Sequence, residues 1–254
     1  MIKKIIKKSS LYGIYRNIIQ EMNIRKWTQD DQRNFLFYSN YIEPGFLCFD
    51  IGANIGNRTK VFLKLGAKVI AVEPQNECMK ILEKYYGNNS HVKLVHRALG
   101  EKESTQYMMI GSEHTLSSLS DKWVARVKDS GRFAESTWNE KQKVQMTTLD
   151  SLFKIYGSPD FIKIDVEGYE YEVFKGLTSP VKFLSFEFTP EYMESAINCI
   201  EYLSQIGNLE LNWSINETMK MELTTWIDKD KMIALLYGCR NEKFFGDVYV
   251  RFIP

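Results

Sequence analysis

Four carboxylates lie at the ends of apolar runs that are typical of buried β-strands. Asp50 ends FLCFD, Glu73 ends KVIAVE, Asp165 ends FIKID, and Glu187 lies near the end of KFLSFEF. Because the carboxyl ends of parallel strands share one edge of a sheet, where ligands bind, we expect the four side chains to lie close together. Any one of them could instead cap a helix or form a salt bridge, since a buried carboxylate needs a partner. As a set they indicate a functional site.

The loop after Asp50 reads GANIG (Gly52–Gly56), and its glycines allow the backbone to approach a ligand closely. Asn54 stands where a dinucleotide-binding loop carries its middle glycine, so a bound pyrophosphate is disfavoured. Glu73 can accept hydrogen bonds from both hydroxyls of an adenosine ribose, and its charge repels a 2′-phosphate. S-adenosylmethionine fits these features, with its amino acid end over the glycine loop and its ribose on Glu73.

The segments around these residues alternate between strand and helix patterns from about Glu43 onward, which is typical of an α/β fold with a mostly parallel sheet. Strands are predicted at Phe46–Ile51, Lys68–Pro74, Val92–Leu99, Lys143–Asp150, Phe161–Asp165 and Lys182–Phe188, and in LELNWSI and DVYVRFI. Helices are predicted at Arg58–Gly66, Asn76–Gly87, SLFKIYG, Tyr169–Leu177, Pro190–Gly207 and around Lys229–Gly238.

Residues 111–140 interrupt this alternation with a polar stretch that lacks sustained periodicity. Such a stretch is usually a functional lid or a disordered insert, and we expect it to select the substrate. Its aromatic residues Trp123, Phe133 and Trp138 could stack on a sugar ring, but packing within the lid is the favoured interpretation.

The first twenty residues, MIKKIIKKSSLYGIYRNIIQ, combine isoleucines with lysines and predict a basic amphipathic helix. The favoured interpretation is a helix that packs on the domain with its lysines in solvent, and the alternative is peripheral contact with an anionic membrane surface. We therefore divide the chain into an N-terminal helical extension, residues 1–40, and one domain, residues 41–254.

Composition narrows the class of protein. The formal net charge is +1 and no basic stripe is concentrated along the chain, which disfavours a nucleic-acid partner. No apolar run approaches the roughly 18 residues of a membrane span. The four cysteines are scattered and form no CxxC pair, which favours a reduced, cytoplasmic setting over a disulfide framework or a zinc site. Together these features predict a cytoplasmic protein, with the inner membrane surface as the alternative location.

Six stretches of the chain, taken in order, resemble the FkbM family of S-adenosylmethionine-dependent methyltransferases. They are FDIGANIGN, VIAVEP, HRALG, VQMTTLDSL, PDFIKIDVEGYEYEVFKGL and LSFEF, and KIDVEGYE (Lys163–Glu170) is the most specific. The resemblance covers about Phe46 to Phe188. It implies a Rossmann-like seven-stranded, mostly parallel sheet with helices on both faces and S-adenosylmethionine at the carboxyl ends of the strands. It also implies transfer, most often, to a hydroxyl oxygen of a small molecule or glycan.

The resemblance also implies which residues form the site. Arg97 and Ala98 would lie near the adenine, and Asp165 near the methionine part of the cofactor. Candidate residues for the acceptor are His114, Ser117 and Ser118; solvent exposure is the favoured interpretation of His114, and a helix N-cap is an equal alternative for the serines. The cofactor-binding residues implied are Asp50, Gly52, Ala53, Asn54, Gly56, Asn57, Glu73, Pro74, Arg97, Ala98 and Asp165.

Methyl transfer to an alcohol needs an aligned acceptor, and a general base contributes about 10²–10⁴-fold. Asp165 and Glu167 are the first candidates for this base, with Glu187 and His114 in reserve. Glu167 could instead stabilise a helix start, where carboxylates are favoured. A divalent metal ion on Asp165 and Glu187 is left open, because no ligand spacing demands one. The alternative functions are a catalytically silent adenosyl-binding partner subunit and a nucleic-acid methyltransferase.

Overall fold

The computed structural model describes residues 24–239, 242 and 244–253. The amphipathic helix predicted in the first twenty residues lies outside these ranges. The first element, α1 (Gln29–Tyr38), begins at a capping box in which Thr28 and Asp31 exchange side-chain to backbone hydrogen bonds. Its Tyr38 is fully buried against Phe62 and Phe161, so this helix packs on the domain that follows it.

The remaining elements alternate along the chain much as predicted. The strands are β1 (Leu47–Ile51), β2 (Lys68–Val72), β3 (Val92–Val95), β4 (Ala98–Leu99), β5 (Ser104–Ile110), β6 (Glu140–Thr147), β7 (Phe161–Ile164), β8 (Phe183–Phe188), β9 (Leu209–Ile215) and β10 (Gly246–Phe252). The helices after α1 are α2 (Asn57–Lys64), α3 (Asn76–Tyr86), α4 (Asp121–Ser130), α5 (Leu149–Tyr156), α6 (Glu170–Phe174), α7 (Met193–Ile206) and α8 (Lys229–Cys239).

Seven strands form the main sheet in the order β3-β2-β1-β7-β8-β10-β9, with β10 antiparallel to both of its neighbours and the other pairs parallel. Successive residues of a strand point to opposite faces, so apolar runs bury both faces. Phe49 and Ile51 of β1 join a core with α5, α6, α7 and α8, whereas Cys48 joins a second core with α1, α2 and α3. The predicted Rossmann-like sheet with helices on both faces is confirmed.

A second sheet, β4-β6-β5, was not predicted. The strand expected at Val92–Leu99 is divided, because β3 ends at Val95 and Ala98–Leu99 pairs with β6 instead. The strand expected at Lys143–Asp150 lies in this second sheet and ends at Thr147, since the Thr148 hydroxyl caps α5 by accepting the N–H of Ser151.

The lid, residues 111–140, is folded. A 3₁₀ turn spans His114–Leu116, and α4 begins after Ser120, whose hydroxyl accepts the N–H of Trp123 at 3.1 Å. Trp123 and Trp138 are buried in a small core of their own, and Phe133 packs against it. The interpretation that these rings pack the lid is therefore confirmed, and the expected lack of regular structure is wrong.

Two compositional expectations can be compared with the described residues. All four cysteines are free thiols. No helix within the described ranges is long and apolar enough to cross a membrane.

Candidate active site

The carboxyl ends of the central strands open into one cavity. Asp50 of β1, Glu73 after β2 and Asp165 after β7 line it, and it encloses about 1060 Å³ of empty space when its open mouth is counted. Glu187, near the end of β8, lies beside Asp165. Three of the four carboxylates singled out in the sequence thus line one cavity, and the fourth adjoins it.

The glycine loop after β1 passes against the end of β7. Gly52 has φ +80°, and a Cβ there would lie 1.8 Å from the carbonyl oxygen of Asp165, so a side chain cannot be accommodated. Gly56 has φ +96°, and a Cβ added there would lie 2.5 Å from a ring carbon of Tyr86. The absence of a side chain at Gly52 therefore lets the loop pass close to the end of β7 at the cavity. Gly56 instead allows the loop to pack against Tyr86, and it does not line the cavity.

Glu73 is held by backbone amides. Its side chain is buried, and Oε1 accepts the N–H of Gln75 while Oε2 accepts the N–H of Asn54, both at 2.8 Å. Burial raises the pKa of Glu73 to about 7, against the opposing effect of the two hydrogen bonds. Because each carboxylate oxygen has two lone pairs, the two backbone hydrogen bonds leave acceptor capacity on Glu73 for a ligand hydroxyl.

The lid is attached to the site at two points. The carbonyl oxygen of His114 accepts hydrogen bonds from Gln75 Nε2 at 3.0 Å and from Asn54 Nδ2 at 3.4 Å. The Ser118 hydroxyl donates to the carbonyl oxygen of Glu167 at 2.6 Å. The 3₁₀ turn between these points forms part of the cavity wall. The lid therefore contacts both the Glu73 end of the cavity and the carboxylates at its other end.

Three carboxylates cluster at the ends of β7 and β8. Oxygens of Asp165, Glu167 and Glu187 all lie within 4.8 Å of one another. Burial, and then the charge of Asp165, raise the pKa values of Glu167 and Glu187 well above their usual range. Such oxygens are the ligands that Mg²⁺ prefers, so the metal site left open at Asp165 and Glu187 would gain Glu167 as a third ligand.

A buried lysine supports this cluster. Lys163 is 1% exposed, and its Nζ lies 2.8 Å from Asp247 Oδ1 and 3.3 Å from Asp165 Oδ2. Burial alone would lower the pKa of Lys163, but the charges of Asp165 and Asp247 raise it well above its usual value. Glu170 has a different task, since it accepts the N–H groups of Val166 and Gly168 and holds the loop between β7 and α6.

Most residues predicted for the site lie on the cavity wall. Gly56, Ser118 and Glu187 are exceptions. Gly56 packs against Tyr86, the Ser118 hydroxyl donates to the carbonyl oxygen of Glu167, and a Glu187 oxygen lies within 4.8 Å of oxygens of Asp165 and Glu167. The predicted residues on the wall are Asp50, Gly52, Ala53, Asn54, Asn57, Glu73, Pro74, Arg97, Ala98, His114, Ser117, Asp165 and Glu167.

Sequence reasoning missed other wall residues. Lys163 had a signal, since it opens the KIDVEGYE motif. Glu217, from the loop after β9, had none, because only the antiparallel end of the sheet brings that loop to the cavity. The other wall residues that were not predicted include Gln75, Leu99, Met108, Thr115, Leu119 and Tyr169.

The sheet order and the cavity at its carboxyl edge define a Rossmann-like protein with a nucleoside-type site. The chain matches the family description "Methyltransferase FkbM domain" over residues 50–209. It therefore belongs to the FkbM methyltransferase family, and its activity is S-adenosylmethionine-dependent methyl transfer. The resemblance found in the sequence motifs and the predicted cofactor are confirmed.

Solved structures with a similar fold include three methyltransferases, whereas no curated protein gives a match. The O-methyltransferase from Bacillus cereus in complex with SAH is 11% identical, with a TM-score of 0.45 over 90% of this chain and 82% of that one. An rRNA methylase from Streptococcus thermophilus is 8% identical, with a TM-score of 0.45 over 87% of this chain and 94% of that one. Precorrin-6y C5,15-methyltransferase from Geobacter metallireducens is 11% identical, with a TM-score of 0.44 over 86% of this chain and 87% of that one. What each acts on is a property of that protein.

Proposed function

We propose that this protein is an O-methyltransferase that transfers the methyl group of S-adenosylmethionine to a hydroxyl of a small molecule or glycan. The observation that carries the proposal is the cluster of Asp165, Glu167 and Glu187 beside the cavity. An alcohol is a poor nucleophile, and carboxylates at this position can accept the proton that it must lose.

The cavity residues fit S-adenosylmethionine. Strands β3, β2, β1 and β7 are consecutive neighbours about 4.8 Å apart, so a ligand laid across their ends meets each in turn. Adenine would lie by Arg97 and Ala98, the ribose on the free lone pairs of Glu73, and the amino acid end over the Gly52–Gly56 loop. The sulfonium methyl would then face Asp165. The space beyond it, below the lid, is left for the acceptor.

Asp165 is the proposed base. Its side chain is 37% exposed, and Lys163 Nζ at 3.3 Å stabilises its negative charge. The acceptor oxygen forms a bond to the methyl carbon as the sulfur–carbon bond breaks, and the hydroxyl proton passes to Asp165. Glu167 and Glu187, with their raised pKa values, can take the proton onward. A divalent cation on the same three carboxylates would supply Lewis acidity toward the acceptor hydroxyl.

The acceptor proposed is uncharged. A phosphodiester would bring negative charge next to three carboxylates, and like charges at short range disfavour binding. We assign the choice of acceptor to the lid, residues 111–140, as part of the domain at residues 41–254. His114 in its 3₁₀ turn and Ser117 directly after the turn lie on the cavity wall, which supports this assignment.

The experiment is methyl-labelled S-adenosylmethionine incubated with a panel of monosaccharides, oligosaccharides and polyhydroxylated small molecules, with an RNA oligonucleotide as a separate arm. We expect label in a methyl ether, identified by NMR. Asp165→Asn should lower kcat by about 10²–10⁴-fold, whereas Asp230→Asn, an exposed control on α8, should not. Label on RNA, nitrogen or carbon alone would overturn the acceptor class. An Asp165→Asn enzyme with unchanged turnover would overturn the choice of base.

A further inference from the structure

Arg58 has donor capacity that no group in the described part of the chain uses. It lies in the first turn of α2, directly after the glycine loop, and lines the cavity. Its side chain is 19% exposed, and its buried Nε has no hydrogen-bond partner among the described residues. Its ion-pair contact is Nη2 to Glu217 Oε1 at 3.5 Å, and the Glu217 side chain is 67% exposed at the loop after β9. A guanidinium carries five N–H donors in a fixed fork, so most of this fork is unengaged.

The other cations on the cavity wall are placed differently. Lys163 is neutralised by Asp165 and Asp247 at 3.3 and 2.8 Å, so it has little charge to offer a ligand. Arg97 is exposed and lies after β3, at the end of the cavity proposed for adenine. Arg58 is therefore the cavity cation suited to an anionic group near β1.

The amino acid end of the cofactor supplies such a group. With its ribose on Glu73 after β2, the ligand reaches β1 next, and Arg58 lies at the start of the helix that follows β1. The N-terminus of α2 also favours negative charge through its free N–H groups. Arg and carboxylate form bidentate charge-assisted hydrogen bonds, and these are among the strong ones in proteins.

We propose that Arg58 binds the α-carboxylate of S-adenosylmethionine, and that Glu217 is a competing partner which this carboxylate displaces. The proposal rests on the cofactor and on its placement across the strand ends, and not on the identity of the acceptor or of the base. The long 3.5 Å contact to an exposed carboxylate is the kind of ion pair that contributes little, so its loss on binding costs little.

The test compares two ligands that differ in the amino acid end. Calorimetry measures the Kd of S-adenosylhomocysteine, which carries the carboxylate, and of 5′-methylthioadenosine, which lacks it; both have a neutral thioether. We expect Arg58→Ala to raise the Kd of S-adenosylhomocysteine by about 10- to 100-fold, which corresponds to the free energy of hydrogen bonds to a charged group. The Kd of 5′-methylthioadenosine should not change. Arg58→Lys should restore part of the loss, because a lysine keeps the charge but not the fork.

Two further variants complete the design. Glu217→Gln removes the competing carboxylate and should lower the Kd of S-adenosylhomocysteine. The Kd of 5′-methylthioadenosine should not change. Lys64→Ala, an exposed cation in the last turn of α2, is the matched control and should leave both Kd values unchanged. Binding of 5′-methylthioadenosine also reports that a variant is folded.

Equal weakening of both ligands by Arg58→Ala would show that Arg58 only shapes the cavity, and no weakening of either would place the carboxylate elsewhere. Either result overturns the proposal. Wild-type protein that binds neither ligand would overturn the cofactor placement on which it rests. An acceptor other than a hydroxyl, found with the labelled donor, would refute the proposed function and leave these Kd comparisons intact.

Discussion

Replacing Glu73 by Gln should abolish a proton release that accompanies cofactor binding. In the free protein, burial raises the pKa of Glu73 from 4.5 to about 7. This difference corresponds to about 3 kcal/mol of disfavoured ionisation. Ribose hydroxyls that donate to the carboxylate favour its charged form, as does a nearby sulfonium. Binding below about pH 7 should therefore expel the proton from Glu73, and affinity for S-adenosylmethionine should rise as pH increases toward 7, by up to tenfold per pH unit.

The same raised pKa has a consequence for folding. Between pH 4.5 and about 7 the unfolded chain has lost this proton while the folded protein still holds it, so the Glu73 contribution makes stability fall as pH rises through that window. Glu73→Gln carries no titrating group there, and its stability should lack this component. Urea unfolding across the window measures the difference.

The binding assay is calorimetry at about pH 6 in two buffers of different ionisation enthalpy, which counts released protons. We expect close to one proton for the wild type, none for Glu73→Gln, and the wild-type count for Glu83→Gln, an exposed control on α3. A wild type that releases no proton and binds with a flat Kd from about pH 5.5 to 8 would refute the reasoning. So would a Glu73→Gln variant that still releases one.

Three other substitutions test parts of the site. Gly52→Ala should lower the free energy of unfolding, measured in urea, far more than Gly45→Ala does. Both glycines have positive φ, but only at Gly52 would the added Cβ lie 1.8 Å from a carbonyl oxygen. Similar losses for the two variants would contradict this. Ser118→Ala should lower the free energy of unfolding by about 1 kcal/mol and speed amide hydrogen exchange in the lid alone. Unchanged exchange would show that the hydrogen bond to Glu167 does not hold the lid. Glu187→Gln should raise Tm more at about pH 8 than at about pH 5, since its raised pKa makes the ionised form unfavourable; a gain independent of pH would refute this.

The main sheet was predictable because its central strands are buried on both faces. Such strands appear as short continuous apolar runs, and β1, β2, β7 and β8 all do. Glycine after a helix pattern, as at Gly66 and Gly87, marked where α2 and α3 end within one or two residues. The carboxylates at the strand ends followed from the same pattern, because parallel strands place their carboxyl ends at one edge.

The second sheet and the lid were not predictable in the same way. In β5 the burial alternates between partly exposed and exposed residues until Met108, so STQYMMI shows little apolar signal. In α4 the buried residues Trp123, Val124 and Val127 are spaced as on one helix face, but they are too few to stand out in a polar segment. Both elements gain their stability from contacts distant in sequence, and a local pattern does not record these.

The charges around the cavity also bear on turnover. Asp165, with Glu167 and Glu187 beside it, lies where the proposed ligand carries its sulfonium, and Lys163, which is shared with Asp247, compensates only part of the negative charge of Asp165. The donor is positive at sulfur, whereas the product S-adenosylhomocysteine is neutral there. The carboxylates should therefore bind the donor more tightly than the product, while Glu73 and Arg58, which we propose to face the ribose and the α-carboxylate, should bind both equally. Interactions lost in the product aid its release without weakening the donor, so the cluster would serve the exchange of cofactor as well as the removal of the proton.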